Sequence, residues 1–241
     1  MPFLYNSLPP SGNQYTIATN GLMVYVDATK TSSYPGAGTT WYDLSGNSNN
    51  MTISNCTYDG SKSFVFNGST SYTYTPNMYS LLTTSNSVVS QTQEIWFKSS
   101  NAGVLVNETN SVTTPSWYDS QIELTTPSIV KGRYWNLVSP YVTLGTNDSS
   151  KWNYAVIRYN GSTSIIDGFF NGTFTSTTSF TRQFAPSPSL YYVLLGKDSG
   201  TNMGSGLNFN GNIAVYRSYK RPLSNTEILN NYNAQKGIFG L

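Results

Sequence analysis

The sequence predicts an all-β fold, a sandwich or barrel carrying one short C-terminal helix. Three observations lead there. Apolar and polar side chains alternate at period two in many short segments. Gly, Pro, Asn and Ser punctuate the gaps between those segments. The aromatic share is 15%, with 19 Tyr and 11 Phe, which suits half-buried pleated surfaces and excludes a disordered chain. At 241 residues, with no linker or shift in composition, the chain falls in the range of a single all-β domain.

An irregular arm bearing Pro, Gly and Ser is read over 1–20, and the domain over 21–241. Leu22, Val24 and Val26 alternate with Met23, Tyr25 and Asp27, which makes the first strand. The same signal recurs at 63–66, 93–98, 103–106, 121–124, 152–159, 165–170, 191–195 and 213–216. Asn160-Gly161 and Asn171-Gly172 offer the positive-φ pairs that tight hairpins require, so the strands flanking them should pair antiparallel. The run from Ile165 to Phe170 is apolar on both faces and is expected centrally in its sheet, with Gly168 marking a bulge or close approach. Near the end, Ser224 and Glu227 have capping-box spacing, and Leu223 with Ile228 forms the hydrophobic staple. Ile228, Leu229 and Tyr232 share a face, and Gly237 offers a stop, so a short helix should dock on the sandwich.

Composition excludes more function classes than it suggests. His is absent, which removes the commonest zinc ligand, the usual general base and every Ser/His/Asp or Cys/His nucleophile system. Net charge is +2 and the 13 Lys and Arg are scattered, so no basic stripe for nucleic acid forms. Cys56 is the one thiol; it forms no intramolecular disulfide, is read as buried and inert, and favours assembly in a reducing compartment. The N-terminus lacks a basic region and a long apolar run, so no export signal and no membrane insertion are expected.

The segment from Trp41 to Asn50, Trp-Tyr-Asp-Leu-Ser-Gly-Asn-Ser-Asn-Asn, joins a large aromatic and a lone carboxylate to a turn. Trp41 needs a deep apolar seat, Asp43 can bond its own backbone, and Gly46 with Asn47 tolerates positive φ. The segment follows the Gly21–Ala28 strand and precedes Phe64-Val65-Phe66-Asn67-Gly68 and Tyr72. Next come Glu94-Ile95-Trp96-Phe97-Lys98, Trp152-Asn153-Tyr154-Ala155-Val156, the 209–216 strand and Arg221-Pro222-Leu223-Ser224 with Glu227-Ile228. In this order the elements resemble the LamG-like branch of the concanavalin A-like lectin/glucanase superfamily, from Gly21 to Leu241. The resemblance implies a jelly-roll sandwich of two curved antiparallel sheets, a fold that hosts lectins, glucanases and adhesive modules and does not choose among them. This version is similar to domains of tailed phages and large DNA viruses, where they belong to the virion.

Enzymes of that superfamily place two carboxylates at alternating positions on one strand. Here Glu94 is followed on its own face by Trp96 and Lys98, and the other acidic pairs, Asp119 with Glu123 and Asp43 with Asp59, are read as lying in separate turns or widely spaced. No catalytic pair is expected. Asp27, Asp43, Asn47 and Asn49 are hard oxygen ligands suited to calcium, but two Asp separated by a long loop fall short of six to eight oxygens. Asp43 is therefore read as the cap of the Ser45-Gly46 turn, and no cofactor is expected. Trp96, Trp117 and Trp135, flanked by Glu94, Asp119 and Asn136, are the candidate platforms for a glycan.

The expectation is a non-enzymatic virion protein, a minor capsid, decoration or appendage component with other virion proteins as partners. Its Tyr-rich, charge-poor composition is that of a protein contact surface. The arm up to about Tyr15 is a candidate docking segment. The alternative is a carbohydrate-binding module or adhesin that recognises host or environmental glycans.

Overall fold

The computed structural model describes residues 15–82, 90–116, 118–134, 140–179, 181–182, 190–200 and 205–241. In chain order the strands are β1 (Leu22–Asp27), β2 (Thr40–Trp41), β3 (Met51–Ser54), β4 (Thr57–Tyr58), β5 (Phe64–Asn67) and β6 (Tyr72–Tyr74). A single helical turn, α1 (Tyr79–Leu82), precedes β7 (Gln91–Lys98), β8 (Gly103–Thr109), β9 (Tyr118–Thr126), β10 (Ile129–Gly132) and β11 (Val142–Thr146). Then follow β12 (Asn153–Asn160), β13 (Ile165–Phe170), β14 (Thr173–Ser179), β15 (Tyr192–Leu195), β16 (Asn210–Tyr219) and the helix α2 (Asn225–Gln235). The all-β prediction with one short C-terminal helix holds, α1 being a lone turn.

The strands form two eight-stranded antiparallel sheets. One runs β14-β13-β12-β7-β16-β5-β4, with β1 also paired to β16; the other runs β11-β10-β9-β8-β15-β6-β3-β2. The strand β16 holds the first sheet together. It pairs along one side with β7 and along the other with β5 and then β1, and a register shift between Ile213 and Val215 separates the two halves of its pairing to β7. The faces turned toward each other bury a core that includes Val24, Trp41, Phe64, Phe66, Ile95, Phe97, Val106, Ile122 and Ile213. A second apolar layer lies on the back of the first sheet, where Leu22, Tyr25, Trp96, Tyr154, Phe169 and Val215 pack beneath Leu223, Ile228 and Phe239. Ile17 and Ala18, at the end of the predicted arm, pack against that layer, and the Ala18 N–H donates to Asn231 Oδ1 at 2.8 Å. The earlier part of the arm lies outside the described residues.

Local chemistry explains where each expectation held and where it shifted. The β13–β14 turn has positive φ at Asn171 and Gly172, as the hairpin rule requires. The strands around Asn160-Gly161 also pair antiparallel, but through a four-residue connection whose left-handed residue is Ser164. The strand β13 is flanked on both sides but lies one place in from the edge, with β14 outside it. Gly168 marks a register shift against β14, and a Cβ there would sit 2.9 Å from Leu144 Cδ2, so bulge and close approach coincide.

Ser224 caps α2 through the reciprocal capping box with Glu227. Its end differs from expectation: a 3₁₀ turn over Lys236–Phe239 follows, and Gly240, left-handed at φ 76°, closes it in place of Gly237. The buried face of α2 is Ile228, Asn231 and Gln235, while Leu229 is exposed and Tyr232 half-buried. Two polar residues face inward because the sheet beneath them presents buried charge.

Candidate functional site

The expected platform residue Trp96 is fully buried between sheet and helix. Its indole stacks on Tyr232 at 5.6 Å with 7° between planes, on Phe239 at 4.3 Å, and lies 5.1 Å from Tyr154. No face of the ring is left for a sugar. Glu94, on the same face of β7, is likewise enclosed. Arg217 Nε donates to its Oε2 at 2.6 Å, and Asn231 Nδ2 donates to Oε1 at 2.9 Å and to Oε2 at 3.1 Å. Both residues therefore fasten α2 to the sheet instead of forming a glycan platform. The period-two pattern placed them on one face; it did not reveal that α2 covers that face. Trp117 and Trp135 lie outside the described residues.

The calcium candidates are held by protein donors. Asp27 accepts from the Tyr25 hydroxyl, the Thr29 hydroxyl and N–H, and Gln235 Nε2 at 2.6–3.0 Å. Asp43 accepts from the N–H groups of Tyr25 and Ser45 on one oxygen, and from the Ser45 hydroxyl and Asn49 N–H on the other. It thus caps the Ser45-Gly46 turn and ties that turn to β1. Asn47 Nδ2 and Asn49 Nδ2 donate to the backbone carbonyls of Leu22 and Met23. The left-handed residues of the corner are Gly46 and Ser48, not Asn47. Trp41 takes its expected seat, edge-on to Phe64 at 4.7 Å. Among the described residues, no group of three or more Cys, Asp and Glu side chains is arranged to hold a metal ion.

At one end of the sandwich the space between the sheets is polar. Along β7 the inward face changes from Phe97 and Ile95 to Gln93 and Gln91, and across from it Glu108 of β8 stands in register with Asp119 of β9. Arg182 Nη2 donates to Glu108 Oε2 at 2.7 Å and Arg133 Nε to Asp119 Oδ1 at 3.0 Å. Gln93 bridges Glu108 and Gln121, and the Tyr191 hydroxyl donates to Glu108. Burial pushes the Asp119 carboxyl up to about 8; Arg133 opposes this and Glu108 adds to it. Asp119 and Glu123 share one strand, contrary to the reading that put them in separate turns. They are not a working pair, however, since Glu123 accepts from the Ser205 N–H at 2.5 Å while Asp119 is taken by Arg133 and Gln121. Cys56 is half-buried, and burial pushes its thiol up to about 12, so it is unreactive.

An open groove of about 550 Å³ lies on the back of the first sheet, beside the start of α2. Its floor is Arg158 of β12, Ile165 and Asp167 of β13, and Phe174 and Thr177 of β14; the 221–227 segment walls it, and Asn160 and Thr163 close one end. Arg158 donates through Nε and Nη2 to Asp167 Oδ2 at 3.0 and 2.8 Å, and through Nη1 to the Leu223 carbonyl and Asn225 Oδ1. Arg221 donates through Nη1 and Nη2 to Glu227 at 3.0 and 2.5 Å and through Nε to the Asn20 carbonyl. Phe174 is 45% exposed and set edge-on against Phe169 at 5.6 Å, and Phe169 lies under the Arg158 guanidinium at 4.8 Å. Sequence reading missed this groove because Arg158 and Asp167 sit singly within apolar strands, and a wall 54 residues or more further along the chain completes it. The isolated Arg158 in a strand read as buried was the available signal.

No protein-family model matches the chain, and no curated protein sequence matches it. Solved structures do. Trypanosoma rangeli sialidase in complex with 2,3-difluorosialic acid aligns with TM-score 0.68 and 13% identity over 97% of this chain and 36% of that one. The same enzyme in complex with sialic acid aligns with TM-score 0.64 and 12% identity, over 90% and 33%. The receptor binding domain of botulinum neurotoxin C/D mosaic serotype aligns with TM-score 0.62 and 15% identity, over 90% and 52%. The chain therefore spans about a third of the sialidases and about half of the neurotoxin domain. At these identities the shared property is the fold, a two-sheet β-sandwich.

Proposed function

We propose that the chain is a non-catalytic recognition module that binds glycans through its surface and is carried on a virus particle. One observation carries the recognition reading: each of the 11 Asp and Glu side chains already accepts a hydrogen bond from the protein, while the groove beside α2 stays open with an exposed aromatic ring in it. A glycosidase of the two-carboxylate type needs its pair about 5–9.5 Å apart and open to substrate. Glu108 and Asp119 face one another in register, but both are fully buried and each is committed to a guanidinium. A sialidase in complex with sialic acid and a neurotoxin receptor binding domain among the similar folds support a recognition role by kinship of fold.

The virion placement is supported by the resemblance of the Trp41 block and the closing strand and helix to viral jelly-roll domains, and by a chain with one Cys. A glycan array and a hydrolysis assay on the same purified chain test the first part: retention without turnover is expected, and release of free sugar would overturn it. Mass spectrometry of purified virions tests the second, and absence of the chain from particles would overturn it.

A further inference from the structure

We infer that the groove beside α2 is the glycan site and that it takes a neutral pyranose residue, not a sialic acid or another anionic sugar. This deepens the recognition reading above and rests on it.

The first argument is charge. The lining holds two guanidinium groups, Arg158 and Arg221, and two carboxylates, Asp167 and Glu227, so it is balanced. Neither guanidinium is spare. Arg158 directs Nε and Nη2 at Asp167 and Nη1 at Leu223 and Asn225, and Arg221 directs its nitrogens at Glu227, Asn20 and Pro222. Recognition of a ligand carboxylate draws on a guanidinium fork turned toward it. Here an incoming anion would have to displace Asp167 or Glu227 and then sit beside the carboxylate it displaced.

The second argument is shape and chemistry. A pyranose presents an apolar C–H face and a rim of hydroxyls. The groove offers Phe174, held edge-on by Phe169, together with Ile165 and Pro222 for the first. For the rim it offers the hydroxyl oxygens of Thr163 and Thr177, which donate to the Asn160 and Ile166 carbonyls and keep acceptor lone pairs, the Asn160 amide, and a carboxylate at Asp167 whose Oδ2 is fixed by Arg158. The volume, about 550 Å³, falls within the range of small-molecule sites. Ordering costs are low because the Arg158–Asp167 pair and the Phe169–Phe174 contact exist without a ligand.

The test is an array carrying neutral and sialylated oligosaccharides, probed with the intact chain and with Phe174→Ala and Thr163→Trp. Calorimetric titration with the best neutral hit and with 3′-sialyllactose then follows. Both substitutions are at exposed positions, so melting temperatures should stay near that of the parent. Retention of neutral glycans, weakened about tenfold or more by Phe174→Ala and abolished by the indole that fills the groove, is the expected result. Retention of sialylated glycans alone, lost in the same variants, would overturn the ligand class. Retention that neither variant changes would overturn the site and leave glycan recognition standing. No retention of any glycan would overturn the recognition reading itself.

Discussion

At Trp96, residue chemistry and surroundings give opposite answers. An indole beside a carboxylate on one strand face is what a sugar platform looks like in a sequence, yet α2 and the 3₁₀ turn cover it with Tyr232 and Phe239. Trp96→Ala should therefore lower stability by about 3–5 kcal/mol, as truncation of a buried aromatic does. Glycan retention per folded molecule should stay unchanged. Denaturant midpoints and array signal at matched folded concentration check both halves, and a variant that keeps its midpoint but loses retention would restore Trp96 as a binding residue. Asp119 makes a second residue-scale prediction. In the unfolded chain it titrates near its ordinary value of 3.8, and in the fold near 8, because burial outweighs Arg133. Between those values the folded chain holds a proton that the unfolded chain has released. The group's contribution to stability is thus greatest below the ordinary carboxylate range and declines as pH rises toward about 8. Asp119→Asn cannot titrate, so its stability relative to the parent should rise steadily from about pH 5 to about pH 8 in urea titrations; a flat or falling difference would refute the buried-proton account. Asp43 was legible in the sequence because its partners Ser45 and Asn49 are neighbours in the chain. Asp119 was not, because Arg133, which follows β10, reaches it from 14 residues further along the chain.

At the scale of the element, α2 shows which parts of a helix a sequence specifies. The cap was readable, since Ser224 and Glu227 satisfy each other's backbone N–H groups over three residues. The buried face was not, since Asn231 and Gln235 look like solvent-facing residues until Glu94, Arg217 and Asp27 are placed beneath them. Polar residues on a docking face are satisfied only by the partner element, which periodicity cannot see. Ser224→Ala removes the hydroxyl that accepts from the Glu227 N–H and should cost about 1 kcal/mol. The pair Arg221–Glu227 adds a pH dependence of opposite sign to that of Asp119. The Arg221 hydrogen bonds, against a smaller opposing effect of burial, hold the Glu227 carboxyl down to about 2. Its stabilisation is present above the ordinary Glu range and disappears as pH falls from about 4.5 toward 2. Because both side chains are partly exposed, that term is at most about 1 kcal/mol and shrinks with salt. Near-neutral melting of Ser224→Ala in low and high salt separates the cap from the ion pair: loss of the cap should persist in both. A Ser224→Ala midpoint equal to the parent's would show that packing alone sets the start of α2.

At the scale of the whole molecule, the sequence gives strand positions readily and their partners poorly, for a topological reason. Hairpins such as β12–β13–β14 join neighbours in the chain, whereas the pairs that make this a sandwich join distant segments. The first strand β1 pairs with the last strand β16, and β16 also separates β7 from β5. All nine strand segments expected from alternation fall on described strands, those at 63–66, 152–159 and 191–195 from their second residue onward. Short strands such as β2 and β4 escaped notice because two residues carry no period. The central place of β16 has a consequence for folding. The first sheet cannot be completed until residues 210–219 have formed, so sheet closure depends on contacts of large sequence separation and refolding should fall in the millisecond-to-second range typical of such topologies. It also predicts the effect of truncation. A chain ending at 209 loses the strand that β7, β5 and β1 all pair with, and should show no cooperative thermal transition by circular dichroism or by tryptophan fluorescence. A chain ending at 222 keeps β16 but uncovers Trp96, Tyr154 and the Glu94–Arg217 pair; it should retain strand signal while binding a hydrophobic dye and melting at a lower temperature than the parent. A sharp, parent-like transition in the chain ending at 209 would show that the other fifteen strands form a self-sufficient unit, and would remove β16 from its central role.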